Sequence, residues 1–375
     1  MLSLPIPDPI TPAWLTTVLR QAGVLGQGTV QAVEQEMTKA FNSAISRLRL
    51  QYSADAAPDA PTRLILKRNI AAEWGIEAGA EEVKFYTLVA SLPDHPGIIV
   101  PCYAATYDEQ SGNSYLLLKD VSATHRPPLT HDQQISIVEG IPSTEDIASV
   151  VEALANLHAY WWEHPLLETD QFVVGYWSRT QDRFEQYRQR RAAAWNHLIA
   201  NESGWFPDDL RILYEQTLAH LPHCWEHYLE PRFRARQHLT LIHGDAYFIN
   251  FLCPQPPATG PTYLLDWQSP SFDIGGYDLA NLCATFWTRE QRHEEQREEA
   301  ILRRYYATLQ ARGVTAYTWG NLLTDYQLGL IFWLLMPVQD SADGSHKDYW
   351  WPKMQCLVAA FRDWRCADLL RMEQV

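Results

Sequence analysis

The tightest constraint on this chain is the stretch LTLIHGDAYFINFL, residues 239 to 252, followed by YLLDWQ, residues 263 to 268. The apolar run LTLI leads into His243, Gly244 and Asp245. Asn250 follows five positions after Asp245, and Phe251 and Leu252 resume the apolar character. Short apolar runs bounded by turn residues predict buried strands. A hairpin of the strands near residues 251 and 263 brings Asn250 and Asp266 to one end, so their separation in sequence disappears in space.

These residue types suit phosphoryl transfer. That reaction asks little covalent chemistry of a protein, so the site must orient a hydroxyl and neutralise charge spreading over phosphate oxygens. Asp245 is the candidate catalytic residue, a carboxylate that orients the acceptor hydroxyl and takes its proton. Magnesium prefers a few hard oxygen ligands beside water and phosphate, and the Asn250 amide oxygen and the Asp266 carboxylate are the candidate ligands. His243 is expected to shape the loop by hydrogen bonding rather than to act as acid or base. The letters HGD alone also suit an ordinary turn; the acid at the end of a second apolar strand sets this segment apart.

Together with FDIGGYDLAN, residues 272 to 281, and LANLHAYWW, residues 154 to 162, these motifs resemble the aminoglycoside phosphotransferase and choline kinase-like family, in its ecdysteroid-kinase-like branch. The resemblance covers nearly the whole chain. It implies an α+β, protein-kinase-like two-lobed fold. Residues 1–120 would form a nucleotide-binding lobe with an antiparallel five-stranded sheet and one main helix, and residues 121–375 a mostly helical catalytic and substrate-binding lobe. ATP and magnesium are the implied cofactors.

A lobe of that kind needs a lysine that grips phosphates and a glutamate that holds it. TRLILKRN, residues 62 to 69, is an alternating β-prone run that presents Lys67, and the helical stretch from residue 76 to 92 offers Glu82, with Glu81 as competitor one position away. Residues 30 to 52 read as two strands around the turn MTKAFNSA, which lacks glycine. Backbone amides approach phosphates most closely where glycine permits it. Ala40, Asn42, Ser43 and Ala44 are the small or polar substitutes, and Ser43 offers a hydroxyl. Strands are expected over IIVPCYAATY and over NSYLLLKDV, residues 113 to 121, with backbone groups from Leu117 to Lys119 meeting the adenine edge.

Farther along, residues 144 to 162 carry Ile147, Val150, Val151, Leu154, Leu157 and Trp161 at helical spacing, with His158 on the same face as a core histidine. Asp278 either caps a helix or braces the catalytic loop, and Asp273 reads as a turn residue. The mixed-charge run from residue 289 to 304 predicts a solvated helix face. The 15 tryptophans, among them Trp161, Trp162, Trp177, Trp195, Trp205, Trp350 and Trp351, are expected mainly in cores, with some available to wall a pocket for a bulky hydroxylated molecule.

The formal net charge of −15 disfavours a nucleic-acid partner. The longest apolar run, residues 328 to 338, falls short of the 18 or so residues that span a bilayer, so no membrane partner is expected. The start MLSLPIPDPI lacks a basic, apolar leader, and six scattered cysteines suit reduced thiols, so the expected compartment is the cytoplasm. The expectation is an ATP- and magnesium-dependent phosphotransferase acting on a hydroxyl of a small molecule. The alternative is a catalytically silent kinase-like binding protein, and a protein-directed kinase ranks below both, because no D-F-G or A-P-E segment follows Asp266.

Overall fold

The computed structural model describes residues 6–7, 9–39, 43–92, 95–137, 140–169, 180–202 and 204–370. It divides into two compact units, Met1–Arg126 with Pro254–Ser269, and Pro127–Cys253 with Pro270–Val375. This partition differs from the single cut near residue 120, because residues 254–269 join the first unit. Several contacts tie that segment there. The Leu264 N–H donates to the Ile98 carbonyl at 2.7 Å, the Pro261 carbonyl meets His125 Nε2 at 3.1 Å, and Trp267 stacks on Phe85 with centroids 4.0 Å apart.

The first unit begins with helix α1, Pro12–Gln21, whose Thr11 side chain accepts from the Trp14 N–H and whose Pro12 suits the first helical position. Strands β1 (Val30–Lys39), β2 (Ser43–Tyr52), β3 (Arg63–Asn69), β4 (Cys102–Asp108) and β5 (Asn113–Lys119) form an antiparallel sheet in the order β1-β2-β3-β5-β4. Leu15, Val18 and Leu19 of α1 share one core with Leu48, Leu50, Leu64, Leu66 and Leu117, the inward residues of the alternating strands. Helix α2, Glu73–Val89, buries Gly75, Gly79, Glu82, Val83, Tyr86 and Val89 at helical spacing. Gly79 permits close approach, since a Cβ there would overlap the Ser114 hydroxyl. The short strands β6 (His125–Arg126) and β9 (Tyr263–Leu264) complete this unit.

The second unit is mostly helical, as the α+β class required. Helices α3 (His131–Ile135), α4 (Thr144–Tyr160), α5 (Gln181–Glu202), α6 (Asp208–Cys224) and α7 (Glu230–Ala235) precede strands β7 (Thr240–Ile242) and β8 (Phe251–Pro254). Strand β10 (Ser271–Asp273) pairs antiparallel with β7, Phe272 opposite Leu241. Then come α8 (Gly276–Ala284), α9 (Arg289–His293), α10 (Arg297–Ala311), α11 (Trp319–Leu334), α12 (Met336–Ala342), α13 (Lys347–Asp363) and α14 (Ala367–Leu370). Helices α8 and α11 touch backbone to backbone, because a Cβ on Gly276 would overlap the Asp325 carbonyl and one on Gly329 the Gly276 carbonyl. The apolar run from residue 328 to 338 lies in this core, and no helix among the described residues is long and apolar enough to cross a membrane.

The charge run from residue 289 to 304 is not one solvated helix. Glu295 and Gln296 adopt left-handed backbone (φ 52° and 55°) between α9 and α10. That break turns Arg292 inward, where it is fully buried and pairs with Glu298 and Asp363, each at 2.7 Å. A buried guanidinium needs charged partners, and the kink brings Nη1 to Glu298 and Nη2 to Asp363.

Candidate active site

In the first unit, Lys67 lies on the central strand β3, opposite Ile45 of β2 and Leu116 of β5. Its ammonium is held between two carboxylates, Glu82 at 2.7 Å and Asp266 at 2.5 Å. The choice between Glu81 and Glu82 follows from helical phase. Glu82 lies on the buried face of α2 with Gly75, Gly79 and Tyr86, whereas Glu81 points outward and pairs with Lys84 at 2.6 Å. Burial alone would lower the Lys67 pKa, but Glu82 and Asp266 outweigh it and raise it, so Lys67 stays charged. Burial raises the Glu82 pKa and Asp266 adds to the rise, while Lys67 opposes both.

Asp266 takes a left-handed backbone (φ 66°), a conformation that costs a non-glycine residue about 1–2 kcal/mol. The neighbouring turn holds it there. Gln268 N–H donates to the Asp266 carbonyl at 2.8 Å, and Trp267 Nε1 donates to the Leu264 carbonyl at 2.9 Å while its ring stacks on Phe85. Strain held in place by packing is a mark of functional positions.

In the second unit, the loop after β7 is braced from beneath. Asp278, fully buried in the first turn of α8, accepts the His243 N–H at 2.7 Å through Oδ2 and the Gly244 N–H at 2.9 Å through Oδ1. His158 Nε2 lies 3.3 Å from the same Oδ2, and its Nδ1 meets the Tyr305 hydroxyl at 2.7 Å. Asp278 is therefore a brace rather than a helix cap. His158 is a core histidine whose ring bonds side chains instead of backbone. Gly244 takes φ 82°, which a side chain would strain. His243 Nδ1 accepts the Asp245 N–H at 3.2 Å, so His243 shapes the loop. The Asn250 amide donates to the Asp245 carbonyl at 2.8 Å and approaches its carboxylate at 3.4 Å, closing the loop on itself. That use of the Asn250 NH2 group directs its amide oxygen away from Asp245. In the first unit the Asp266 carboxylate is part-exposed; an amide oxygen and a carboxylate are each the kind of hard ligand that magnesium takes.

Three of the expected positions fall differently. Ser43 is buried as the first residue of β2, opposite Asn69, because the pairing with β3 runs to the strand end, so its hydroxyl is a sheet group rather than a loop group. Leu117 lies inside β5 between β3 and β4, its backbone committed to the sheet and its side chain to the core. The Lys119 N–H donates to the Pro101 carbonyl at 2.9 Å, at the end of β5. Ala40, Asn42 and Trp177 lie outside the described residues. Asp273 is not an exposed turn residue. It ends β10 fully buried, and burial pushes its carboxyl well above the usual range, with Asp325 and Asp278 adding to the rise.

Of the tryptophans, Trp161 and Trp350 are buried, and Trp205 packs edge-on against Trp351 at 4.8 Å. A groove of about 1040 Å³ between α4 and α10 contains none of the expected site residues, and the Arg304–Glu152 ion pair spans its two helices. Lys353 of α13, a buried lysine that the sequence reading passed over, lies within electrostatic reach of Asp245. The only local signal was a lysine inside the apolar run YWWPKM.

The ecdysteroid kinase-like family model matches residues 38–314. The structure is similar to choline kinase from Cryptosporidium parvum Iowa II, with a TM-score of 0.55 at 9% identity over 96% of this chain and 97% of that one. It is similar also to a microcompartment-associated aminopropanol kinase, with a TM-score of 0.50 at 11% identity over 90% and 94% of the two chains. At these identities the likeness is one of fold, the two-lobed protein-kinase-like α+β fold. No curated protein matches the sequence.

Proposed function

The chain belongs to the ecdysteroid kinase-like family, and from that premise we propose that it is a phosphotransferase which moves the γ-phosphate of ATP to a hydroxyl of a small molecule, with magnesium. The observation that carries this reading is the largely buried Lys67 held between Glu82 and Asp266, the latter 199 positions away in sequence. An incidental surface lysine has no need of two carboxylates in a protein interior, whereas a lysine that grips phosphates must be held in place and charged.

The roles follow from chemistry. Lys67, steadied by Glu82, positions the phosphates. Asp245 accepts a hydrogen bond from the acceptor hydroxyl and takes its proton as the new bond forms. Asn250 and Asp266 are the magnesium ligands, and bound magnesium would neutralise phosphate charge. The brace from Asp278 keeps the Asp245 backbone in one conformation, so the carboxylate needs no reorganisation when the hydroxyl arrives. The end of β5 at Lys119 is the proposed adenine contact, and the six free cysteines suit a reducing, cytoplasmic setting. One feature favours the second reading, a silent kinase-like binder: the segment MTKAFNSA, residues 37–44, contains no glycine, and Ser43 is drawn into the sheet.

Calorimetric titration with ATP, with and without magnesium, separates the two. Magnesium-dependent binding is expected for the native protein and for Asp245→Asn, and its loss for Asp266→Ala. Transfer to a hydroxylated acceptor should fall by about 10²–10⁴ in Asp245→Asn, the usual contribution of a general base. Absence of ATP binding under both conditions would overturn the phosphotransferase reading.

A further inference from the structure

The loop that carries Asp245 continues into Tyr247, whose ring is one wall of an aromatic box. Phe286, just after α8, Trp333 of α11 and Tyr349 of α13 supply the others. The occupant is the ammonium of Lys353, one helical turn after Tyr349. Its Nζ lies 5.3 Å from the ring centre of Tyr349, 5.7 Å from Trp333, and 5.9 Å from both Tyr247 and Phe286. The same Nζ donates to Asp340 of α12 at 2.8 Å, and the side chain is only 2% exposed. Burial alone would lower the Lys353 pKa, but Asp340, then Tyr349 and Asp245, outweigh it and raise it, so the group carries its charge at neutral pH.

A buried lysine–aspartate pair by itself is a poor stabiliser compared with apolar residues of the same volume. Four rings gathered around one ammonium have a more specific meaning, because that is how proteins hold ammonium ligands, each ring face attracting the cation more strongly the more it is desolvated. Two of the walls, Tyr247 and Tyr349, are only half-buried, so the box borders solvent on the side of the Asp245 loop.

We propose that this box is an ammonium-binding site whose ligand is the chain's own Lys353, and that Lys353 is a specificity-determining residue that bars amine-bearing compounds from the place beside Asp245. The ring faces and Asp340 are already satisfied by one cation, and a second brought to the same place would meet like charge in a partly desolvated setting. The bearing on acceptor choice rests on the phosphotransferase reading; the self-occupied box does not.

The test uses tetramethylammonium chloride, with sodium chloride at matched ionic strength as reference, on the full-length native protein, Lys353→Ala and Lys353→Met. Thermal melting and calorimetric titration report binding without any need for activity. Lys353→Ala empties the box, and the cation should raise its Tm saturably, with an affinity at least tenfold above that of the native protein. Lys353→Met refills the box with uncharged atoms and should respond as weakly as the native protein does. If Lys353→Ala fails to fold alone, refolding with tetramethylammonium and not with sodium carries the same meaning. A folded Lys353→Ala indifferent to the cation, equal recovery in both salts, or equal binding by the native protein would overturn the proposal. Loss of the kinase reading through absent ATP binding would leave each of these results interpretable.

Discussion

Replacing Asp278 with asparagine tests the brace beneath the loop that carries Asp245 with the smallest possible change in shape. The carboxylate uses its two oxygens on two different backbone donors, His243 at 2.7 Å and Gly244 at 2.9 Å, and it is fully buried. Asparagine has one acceptor oxygen, so one of those amides must face an NH2 group and lose its partner. A hydrogen bond to a charged group contributes about 1.5–3 kcal/mol, and the surviving bond, now to a neutral amide, weakens by roughly another 1 kcal/mol. The expected loss is therefore about 2.5–4 kcal/mol, a large part of the roughly 5–15 kcal/mol that stabilises a folded domain. For a unit of about 230 residues this corresponds to a fall in Tm on the order of 5–15 °C. Scanning calorimetry would read the shift, and amide hydrogen exchange across β7 and the loop to Asn250 should show faster exchange at His243 and Gly244 than in the rest of the unit. A Tm within about 1 °C of native together with unchanged exchange at those two amides would refute the brace.

Three further outcomes follow from the same geometry. Glu82→Gln should lower stability by about 1.5–3 kcal/mol, whereas Glu81→Gln, which breaks an exposed pair, should change it by less than about 0.5 kcal/mol; equal effects in denaturant unfolding would contradict the assigned partner of Lys67. Asp273→Asn should leave stability at pH 3 unchanged and raise it at pH 7 by at least about 1 kcal/mol. The native carboxyl titrates above its unfolded value, so the stability it contributes is complete below about pH 4 and is lost as pH rises toward the folded pKa, a loss the amide does not suffer. Unfolding free energies at the two pH values check this, and a variant less stable than native at pH 7 would contradict it. Gly329→Ala should cost about 2 kcal/mol or more, since the new methyl group overlaps the Gly276 carbonyl and forces α8 and α11 apart; an unchanged Tm would show that the helices can separate freely.

Much of the architecture was legible because it is local. Alternation marked β2 and β3, helical spacing marked α4, and the turn residues of the H-G-D segment marked a loop between short strands. Period could also have chosen between Glu81 and Glu82, since only Glu82 continues the buried face through Gly75, Gly79 and Tyr86. The run from residue 289 to 304 misled for the same reason. Its charges suit a solvated helix by composition, and only the distant Asp363 makes burial of Arg292 favourable.

The sequence by itself determined several elements, such as β2, β3 and α4, and the acids on which a phosphotransferase reading depends, because backbone propensity, periodicity and turn chemistry act over a few residues; the α+β class followed from the family resemblance of its motifs. Tertiary structure alone decided that residues 254–269 return to the first unit, that Asp266 reaches Lys67 across 199 positions, that Asp278 holds two loop amides, and that Lys353 fills an aromatic box. Each of these is a choice of partner for a charged or polar group taken out of water. Which group can serve depends on what packing brings within about 3 Å, the reach of a hydrogen bond, and no local pattern of letters carries that information.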